Sequence, residues 1–350
     1  MSSENIRDLH KGKIIGGRWR LVSKIGEGAM GAIYKVEDRK RKNFCGALKL
    51  ESDLSEGGVL KLEVFVLKKL QGLKHTVKLY DSGQTNKYCF MVMSLLGKDL
   101  WRLRVESNKP FSESTTLRVA INTLFAIKKV HELGYVHRDI KPGNFLIGRI
   151  GREKRILFLI DYGMVRSFVA TDKDTGKLAI RQPRDGAQLF RGTPKYCSLN
   201  CHYRKEQGRV DDLWSWLYSL IEIHCKLPWS ALLEENKVLP IKEACSENDL
   251  LRRCPEEFRK IYRYLKTLKY EDRPDYYGLF SECMAGLKRV RGSFLDRYEW
   301  ETEIKDDMET ALSISDEDRK THKPVGRNRI AQKIYPFATK EVFRENILNL

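Results

Sequence analysis

The chain has 350 residues, enough for one two-lobed domain of about 280 residues with tails, and 65 Lys and Arg against 47 Asp and Glu give a formal net charge of +18. This charge suits nucleic acid, an anionic membrane or acidic protein partners. The sequence argues against the first two as specific partners. It has no zinc-ligand spacing, no basic module with interleaved aromatic residues, and no apolar run near the roughly 18 residues of a membrane span.

The first motif along the chain is a glycine-rich turn, which follows a polar segment that we assign as a flexible lead at residues 1–17. Residues 25–33 read Ile-Gly-Glu-Gly-Ala-Met-Gly-Ala-Ile and have the G-x-G-x-x-G spacing. That spacing alone also occurs in dinucleotide-binding folds and in simple turns. The strand-like flanks at 19–24 and 32–36 favour a β-hairpin whose backbone N–H groups bind phosphate oxygens.

A lysine lies near the end of the next predicted strand, the apolar run at residues 45–50. Lys49 would be costly there without a partner, although an edge-strand lysine could also reach solvent. The following segment, 59–70, has helical apolar spacing, and Glu63 lies beside its apolar stripe. Glu63 alone could be a surface residue, but the order of the motifs favours an ion pair in which Lys49 also binds phosphates.

A short loop and a triplet near the middle of the chain carry the strongest signal. Residues 137–144 read His-Arg-Asp-Ile-Lys-Pro-Gly-Asn, and Asp-Tyr-Gly follows at 161–163. Phosphoryl transfer requires an acid that orients the attacking hydroxyl, a cation for the γ-phosphate, and an acid and an amide for Mg²⁺. The residues that supply this set are Asp139, Lys141, Asn144 and Asp161.

Over residues 18–300, these motifs resemble those of the eukaryotic protein kinases. The resemblance is closest to the casein kinase 1 family and, within it, to the tau-tubulin kinase branch. Most kinases have Ala-Pro-Glu at the end of the activation segment, whereas residues 198–200 read Ser-Leu-Asn, which is similar to the casein kinase 1 form. The stretches 211–215 and 227–229 resemble the tau-tubulin kinase form.

The resemblance implies an α+β, two-lobed protein kinase fold, with a small β-rich N-lobe that holds one helix and a larger, mainly helical C-lobe. It places the N-lobe at residues 18–93, the hinge at 94–97 and the C-lobe at 98–300. The implied activity is transfer of the γ-phosphoryl group of ATP to serine or threonine in proteins, with Mg²⁺ as the metal. Lys141, with Thr193 downstream, resembles serine/threonine rather than tyrosine kinases.

The resemblance also implies a set of nucleotide-binding residues. Met93 would be the gatekeeper, and the Ser94 carbonyl and the Leu96 N–H would bond adenine, although a plain strand end is the alternative there. Asn144 and Asp161 would hold the metal. The residues expected to bind ATP are Ile25, Gly26, Glu27, Gly28, Gly31, Ile33, Ala47, Lys49, Glu63, Met93, Ser94, Leu96 and Leu146.

Basic residues are concentrated in and just after the activation segment, where the resemblance places substrate binding. A solvated basic face is one interpretation, and we favour a site for acidic or phosphorylated protein substrates. Lys195 stands where family members usually have an arginine that contacts a substrate phosphate, and lysine cannot make the bidentate arginine fork. The predicted anion site comprises Arg181, Arg184, Arg191, Lys195 and Lys242.

Two helices are predicted around the loop at 137–144. Apolar positions from Leu117 to Val130 keep helical spacing up to a stop at Gly134. Residues 213–223 are apolar around much of the circumference, which indicates a buried helix. By resemblance this is the central helix of the C-lobe, and Asp212 accepts bonds from backbone N–H groups of the loop. An acid that favours the helix dipole is compatible with that role.

Residues 301–350 are dense in mixed charge, and we expect a largely disordered tail with one docking patch at the mildly apolar stretch 334–337. The eight cysteines show no C-x-x-C pair, and no secretory h-region is present. We therefore expect a monomer with reduced thiols in the cytoplasm, and also in the nucleus.

Two other functions stay open at the level of sequence. A pseudokinase that uses the kinase fold as a binding scaffold would be expected to lack Lys49, Asp139 or Asp161, and all three are present. A basic nucleic-acid-binding protein would bind DNA in a salt-sensitive manner and show no kinase activity.

Overall fold

The computed structural model describes residues 5–28, 31–52, 58–301 and 335–350. Contacts divide the chain into two compact units. The N-terminal unit comprises Met1–Gly97 and Ile160–Val165, and the C-terminal unit comprises Lys98–Leu159 and Arg166–Leu350. Among the described helices, none combines the length and the apolar character that a membrane span requires.

Within its described residues, the N-terminal unit contains a six-stranded sheet. Its strands are β1 (Ile14–Ile15), β2 (Trp19–Gly28), β3 (Gly31–Asp38), β4 (Cys45–Ser52), β5 (Leu79–Gln84) and β6 (Tyr88–Ser94). Neighbouring strands are antiparallel and lie in the order β1-β2-β3-β4-β6-β5. The helix α1 (Val59–Leu70) lies between β4 and β5 in the chain and buries one apolar stripe.

Period-two alternation along these strands builds the core of the unit, because successive side chains of a strand point to opposite faces. The apolar residues of this core include Trp19, Leu21, Val36, Leu48 and Val92. At the glycine-rich turn, Gly28 of β2 pairs with Gly31 of β3. A Cβ at Gly31 would lie only 1.8 Å from the Leu50 carbonyl oxygen, so the close approach of β3 to β4 requires glycine there.

The C-terminal unit is mainly helical. Its described helices are α2 (Leu100–Glu106), α3 (Glu113–His131), α4 (Leu199–His202), α5 (Arg209–His224), α6 (Glu235–Ala244), α7 (Glu247–Leu251), α8 (Glu257–Thr267), α9 (Tyr276–Arg289) and α10 (Glu341–Arg344). Short antiparallel strand pairs are β7 (Tyr135–Val136) with β10 (Arg166–Ser167), β8 (Phe145–Ile147) with β9 (Leu157–Leu159), and β11 (Val169–Thr171) with β12 (Leu178–Ile180).

The two helices predicted around the loop at 137–144 are observed as α3 and α5. After α3 the chain reverses at Gly134, whose φ of 83° is the left-handed conformation that favours glycine. On α5, Leu213 and Leu217 are completely buried, as expected of a helix that is apolar around most of its circumference. Trp216 Nε1 donates a hydrogen bond to Thr123 Oγ1 at 2.9 Å and so joins the two helices.

The segment after residue 334 packs onto the C-terminal unit. Phe337 and Phe343 are 0% and 1% exposed. Phe343 stacks on Phe280 of α9 with the ring centroids 4.5 Å apart. The Ile347 N–H donates to Glu132 Oε2 at 2.6 Å. Apolar burial and backbone hydrogen bonds together fix this segment against α3 and α9.

Both ends of the chain therefore differ from the sequence expectation where they are described. In the lead at 1–17, Leu9 and Ile15 are buried in the core of the N-terminal unit. In the tail at 301–350, the aromatic residues near its end bury apolar area that offsets the entropy of ordering the segment. The expected docking patch at 334–337 is thus partly occupied within the chain, and residues 302–334 lie outside the described residues.

Candidate active site

The N-terminal unit places Lys49 of β4 in a group of carboxylates. Lys49 Nζ lies 2.7 Å from Glu63 Oε2 of α1, 3.2 Å from Glu51 Oε1 and 3.7 Å from Asp161 Oδ1. Burial alone would lower the pKa of Lys49, but the charges of Glu63, Asp161 and Glu51 outweigh it and raise the pKa above its ordinary value. Lys49 therefore stays a cation, and the ion pair with Glu63 expected from the sequence is present.

Asp161 lies at the start of a tight turn that also contacts α1. Its φ of 66° is uncommon for a residue other than glycine. The backbone N–H of the next residue, Tyr162, donates to Glu63 Oε1 at 3.2 Å. A Cβ at Gly163 would lie 2.8 Å from Val59 Cγ1, so glycine is needed where the turn meets α1. The Asp161 side chain is 42% exposed, which leaves its carboxylate accessible to a metal ion.

Most residues expected to bind the nucleotide lie on four neighbouring strands of the N-terminal unit, β2, β3, β4 and β6. In the β2–β3 hairpin, Gly26 pairs with Ile33, and on the next strands Ala47 of β4 pairs with Met93 of β6. Ile25 is 49% exposed, as an apolar residue that covers a ligand would be. The expected nucleotide-binding residues of this unit are Ile25, Gly26, Glu27, Gly28, Gly31, Ile33, Ala47, Lys49, Glu63, Met93, Ser94 and Leu96. Leu146 lies on β8 of the C-terminal unit.

The catalytic loop, residues 137–144, brings its functional groups together around Asp139. Lys141 Nζ lies 2.6 Å from Asp139 Oδ2. Asn144 Nδ2 donates to the Asp139 carbonyl oxygen at 2.8 Å, and Thr193 Oγ1 donates to Asp139 Oδ1 at 2.8 Å. Lys141 Nζ also lies 3.3 Å from Thr193 Oγ1. An acid, a cation and an amide are therefore adjacent, and the acid and the cation contact Thr193, the threonine that the sequence paired with Lys141.

Asp212 at the start of α5 holds the backbone of the catalytic loop. It accepts hydrogen bonds from the backbone N–H groups of His137 at 2.6 Å and Arg138 at 2.8 Å, which confirms the role expected for it. The arrangement supports a left-handed conformation at Arg138, whose φ is 67°. Burial lowers the pKa of the Arg138 guanidinium to about 10, and the nearby charge of Arg166 acts in the same direction.

The neighbouring Asp211 anchors the activation segment, a role that the sequence reasoning missed. Its Oδ1 accepts hydrogen bonds from Ser198 Oγ at 2.6 Å and Asn200 Nδ2 at 3.1 Å. Its Oδ2 accepts a bond from the Gly208 N–H at 2.7 Å. Ser198 and Asn200, the two polar residues of the Ser-Leu-Asn motif, thus bind one carboxylate. The sequence feature that could have indicated this role is the second acid, which directly precedes Asp212.

Three arginines converge on Glu206, whose side chain is 2% exposed. Its carboxylate lies 3.0 Å from Arg181 Nη2, 2.5 Å from Arg184 Nε and 2.9 Å from Arg166 Nε. Three positive charges against one negative charge leave this cluster basic. Arg191, which follows Arg184 closely in the sequence, is exposed to solvent. Two of the five predicted anion-site residues, Arg181 and Arg184, are therefore brought together, and Arg166 is an unforeseen third member.

The two lysines of the predicted anion site have internal partners. Lys195 Nζ lies 3.3 Å from Glu222 Oε1, and its side chain is 13% exposed. Lys242 of α6 is 5% exposed, and its Nζ donates to the carbonyl oxygens of Pro194 at 2.7 Å and Cys197 at 2.6 Å. Burial lowers the pKa of Lys242 to about 8. This position corrects the prediction that Lys242 belongs to an exposed surface, because its amine instead supports the activation segment from inside.

Comparison with known proteins places these observations in a family. A family model described as "Protein kinase domain" matches residues 19–306. The Caenorhabditis elegans protein named "Putative serine/threonine-protein kinase K06H7.1" is 38% identical over 299 residues, which are 85% of this chain and 86% of that protein. Casein kinase I homolog 3 of Schizosaccharomyces pombe is 32% identical over 301 residues, 82% of this chain and 66% of that protein. A C. elegans protein named as an inactive tau-tubulin kinase is 32% identical over 255 residues, 70% of this chain and 88% of that protein.

Proposed function

Because the chain belongs to the protein kinase family, with casein kinase I homologues and a tau-tubulin kinase-like protein among its relatives, we propose that it is an active serine/threonine kinase. The two-lobed α+β kinase fold and the family resemblance predicted from the sequence are confirmed. The substrates proposed are acidic or already phosphorylated proteins. The observation that carries the proposal is the group around Asp139, which contacts Lys141, Asn144 and Thr193 within one unit.

ATP with Mg²⁺ is the proposed phosphoryl donor, and the residues present fit both. Lys49 is a permanently charged donor fixed by Glu63, which suits it to bind phosphate oxygens. Mg²⁺ prefers oxygen ligands, and the exposed carboxylate of Asp161 and the side-chain carbonyl of Asn144 are of this type. When bound, the metal neutralises phosphate charge. Positioning and charge stabilisation then supply most of the rate.

Asp139 is proposed to orient the substrate hydroxyl and to accept its proton. Its Oδ1 accepts a hydrogen bond from the Thr193 hydroxyl, so this atom is already placed to bind an alcohol. Lys141 pairs with the other oxygen, Oδ2, and is the cation proposed to stabilise the transferring phosphoryl group. The contact between Lys141 and Thr193 supports serine or threonine as the acceptor, as in the kinases that the sequence resembles.

Selection of acidic substrates is proposed to depend on the exposed arginines of the activation segment. The cluster of Arg166, Arg181 and Arg184 carries two positive charges more than Glu206 neutralises. Arg191 adds a further exposed charge. Several charges that converge on one phosphate form charge-assisted bonds, whereas a single surface charge contributes little in water.

A catalytically weak pseudokinase that acts as a scaffold is the alternative, and one relative is named as inactive. The presence of Lys49, Asp139 and Asp161 favours an active enzyme. The test is a kinase assay with γ-labelled ATP on a peptide library of neutral, acidic and pre-phosphorylated peptides. Mg²⁺-dependent labelling of serine or threonine, strongest on acidic or phosphorylated peptides, supports the proposal. ATP binding without transfer to any peptide favours the scaffold.

A further inference from the structure

The sulfur atoms of Cys225 and Cys254 lie 3.6 Å apart, although 29 positions separate the two residues in the chain. Cys225 directly follows α5, and Cys254 lies between α7 and α8. A disulfide requires a sulfur–sulfur distance of about 2.05 Å, so closure needs a relative movement of roughly 1.5 Å. Both side chains are partly exposed, so a small oxidant can reach them.

The backbone is well defined on both sides of this contact. The Cys225 N–H donates to the Ile221 carbonyl oxygen at 2.8 Å, which fixes it to the last turn of α5. The Cys254 N–H donates to the Leu251 carbonyl oxygen at 3.1 Å. Lys226 follows Cys225 with φ at 68°, an uncommon conformation for a residue other than glycine. The two thiols are therefore held next to each other by their local backbone.

The hydrogen bond between the two thiols decides which of them is the nucleophile, and either sulfur can donate it. With Cys254 as the donor, the bond lowers the pKa of the Cys225 thiol below its ordinary value, against the effect of partial burial, and the charge of Arg253 lowers the pKa of both thiols. The same hydrogen bond raises the pKa of Cys254, which keeps its proton. Because the thiolate is the reactive form of cysteine, Cys225 reacts first and Cys254 resolves the product.

We propose that Cys225 and Cys254 are a redox modification site at which a peroxide forms a reversible disulfide, and that the disulfide weakens binding of the protein substrate. In the first step the Cys225 thiolate attacks one oxygen of hydrogen peroxide, the O–O bond breaks, and a sulfenic acid and hydroxide form. Hydroxide then takes the Cys254 proton, and the Cys254 sulfur attacks the Cys225 sulfur and displaces hydroxide. The displaced hydroxide takes up the proton that Cys225 released on becoming a thiolate, so that overall two thiols and one peroxide give one disulfide and two waters.

The end of α5 links this pair to the activation segment, and this step rests on the proposed kinase function. Glu222, three residues before Cys225, accepts bonds from the Leu227 N–H at 2.9 Å and from Lys195 Nζ at 3.3 Å. Trp229 Nε1 donates to the Lys195 carbonyl oxygen at 2.9 Å. The short segment that contains Cys225 thus contacts both the side chain and the backbone carbonyl of Lys195. Displacement of this segment therefore changes the position of Lys195.

Three buried cysteines of the described chain are less suited to this reaction. Cys283 is 0% exposed, and Cys197 and Cys201 are 3% and 2% exposed, so peroxide has little access to them. Cys245 is partly exposed, as the proposed pair is. It therefore serves as a matched control on the same unit.

The disulfide itself is tested by treating the reduced full-length protein with hydrogen peroxide and mapping crosslinked peptides by mass spectrometry without reduction. We expect a crosslink between Cys225 and Cys254 that dithiothreitol reverses. It should be absent from Cys225→Ser and from Cys254→Ser, and it should form in Cys245→Ser as in the wild type. A crosslink between other cysteines, or over-oxidised thiols without a crosslink, contradicts the proposed site.

Two readouts on the same samples test the effect on substrate binding. Amide exchange at Leu227 should become faster on oxidation of the wild type but not of Cys254→Ser, and this measurement needs no kinase activity. The KM for a peptide substrate should rise on the order of tenfold while the KM for ATP stays constant, since misplacement by about 1 Å can cost up to about 100-fold. An unchanged peptide KM after complete crosslinking overturns this effect. An inactive reduced enzyme would instead count against the proposed function, and the crosslink and amide exchange would still decide the disulfide.

Discussion

His131 Nε2 lies 2.9 Å from Asp212 Oδ2, and both side chains are buried in the C-terminal unit. The same Asp212 oxygen accepts the backbone N–H of His137 at 2.6 Å. The other ring nitrogen of His131 lies 2.6 Å from the hydroxyl of Tyr276. Through this chain of contacts, α3, α5 and α9 together fix the backbone of the catalytic loop.

The stability of the protein should therefore depend on pH through His131. Burial lowers the pKa of His131 below its ordinary value, against the hydrogen bond to Asp212. In the unfolded chain the imidazole titrates near its ordinary pKa of about 6.5. Below about pH 6.5 the unfolded state binds a proton that the folded state excludes, so the free energy of unfolding falls. Above that pH both states hold neutral His131, and the contribution is fully present.

Urea unfolding at about pH 7.5 and about pH 5.5 measures this effect. The wild type should lose more free energy of unfolding on acidification than His131→Gln does, because glutamine does not titrate. The exposed His10 provides the control, and His10→Gln should behave as the wild type does. The same loss in wild type and His131→Gln would show that this histidine does not couple pH to folding.

Lys242→Met should weaken peptide binding and lower the stability of the protein, and it should not change the preference for acidic over neutral peptides. The change removes the donor to the carbonyl oxygens of Pro194 and Cys197, which are then left without this partner. An unsatisfied buried polar group costs about 1–3 kcal/mol of free energy of unfolding. The KM for all peptides should rise, acidic and neutral alike. Lys237→Met, at a residue with a 57% exposed side chain on the same helix, should change neither quantity. A loss confined to acidic peptides would restore Lys242 to the anion site.

Arg191→Gln should reduce the preference for acidic or phosphorylated peptides. Arg191 is exposed in the activation segment, so its charge is available to a bound substrate. The KM for acidic peptides should rise several-fold while the KM for ATP stays constant. The preference of the wild type should also weaken with salt, since charges are screened over about 10 Å at 0.1 M. The exposed Arg252 supplies a charge-matched control. Equal KM values for acidic and neutral peptides with the wild type would contradict the proposed substrate class.

Phe343→Ala should destabilise the protein although the residue lies close to the C-terminus. The ring is 1% exposed and stacks on Phe280 at 4.5 Å. Replacement of a buried phenylalanine by alanine costs about 3–5 kcal/mol of free energy of unfolding. Ile347→Ala, at a 67% exposed residue of the same segment, should cost much less. Equal effects of the two changes in urea unfolding would mean that the terminal segment does not pack as described.

The residues whose contacts could be predicted from the sequence are those that only a few kinds of partner can satisfy. Lys49 in an apolar strand requires a carboxylate, and an amphipathic helix offered Glu63. Asp139 and Lys141 lie two positions apart on one loop, so their contact follows from local geometry. Asp212 lies at the start of a buried helix, where a carboxylate is expected to accept hydrogen bonds from backbone N–H groups.

The residues that the sequence analysis misplaced or did not identify depend on packing between distant segments. Lys242 lies on an irregular helix with a proline inside it, and nothing local indicates that its amine points to carbonyl oxygens 45 or more positions away. Glu206 stands 22 and 25 positions from Arg184 and Arg181, and a basic run does not reveal which acid will neutralise it. The segment near Phe343 follows a stretch of mixed charge, whose composition predicts disorder. The few aromatic residues after that stretch were therefore not recognised as residues that pack against the C-terminal unit.

We propose that the chain transfers phosphate from ATP to protein hydroxyls and that the carboxylate of Asp139 receives the proton. The most direct test is the initial rate of label transfer from γ-labelled ATP to an acidic peptide, for the wild type and for Asp139→Asn. Circular dichroism should show that both are folded. We expect Mg²⁺-dependent transfer by the wild type and a loss on the order of 100-fold to 10,000-fold in the variant. No transfer by the folded wild type, or equal rates for the two proteins, would contradict it.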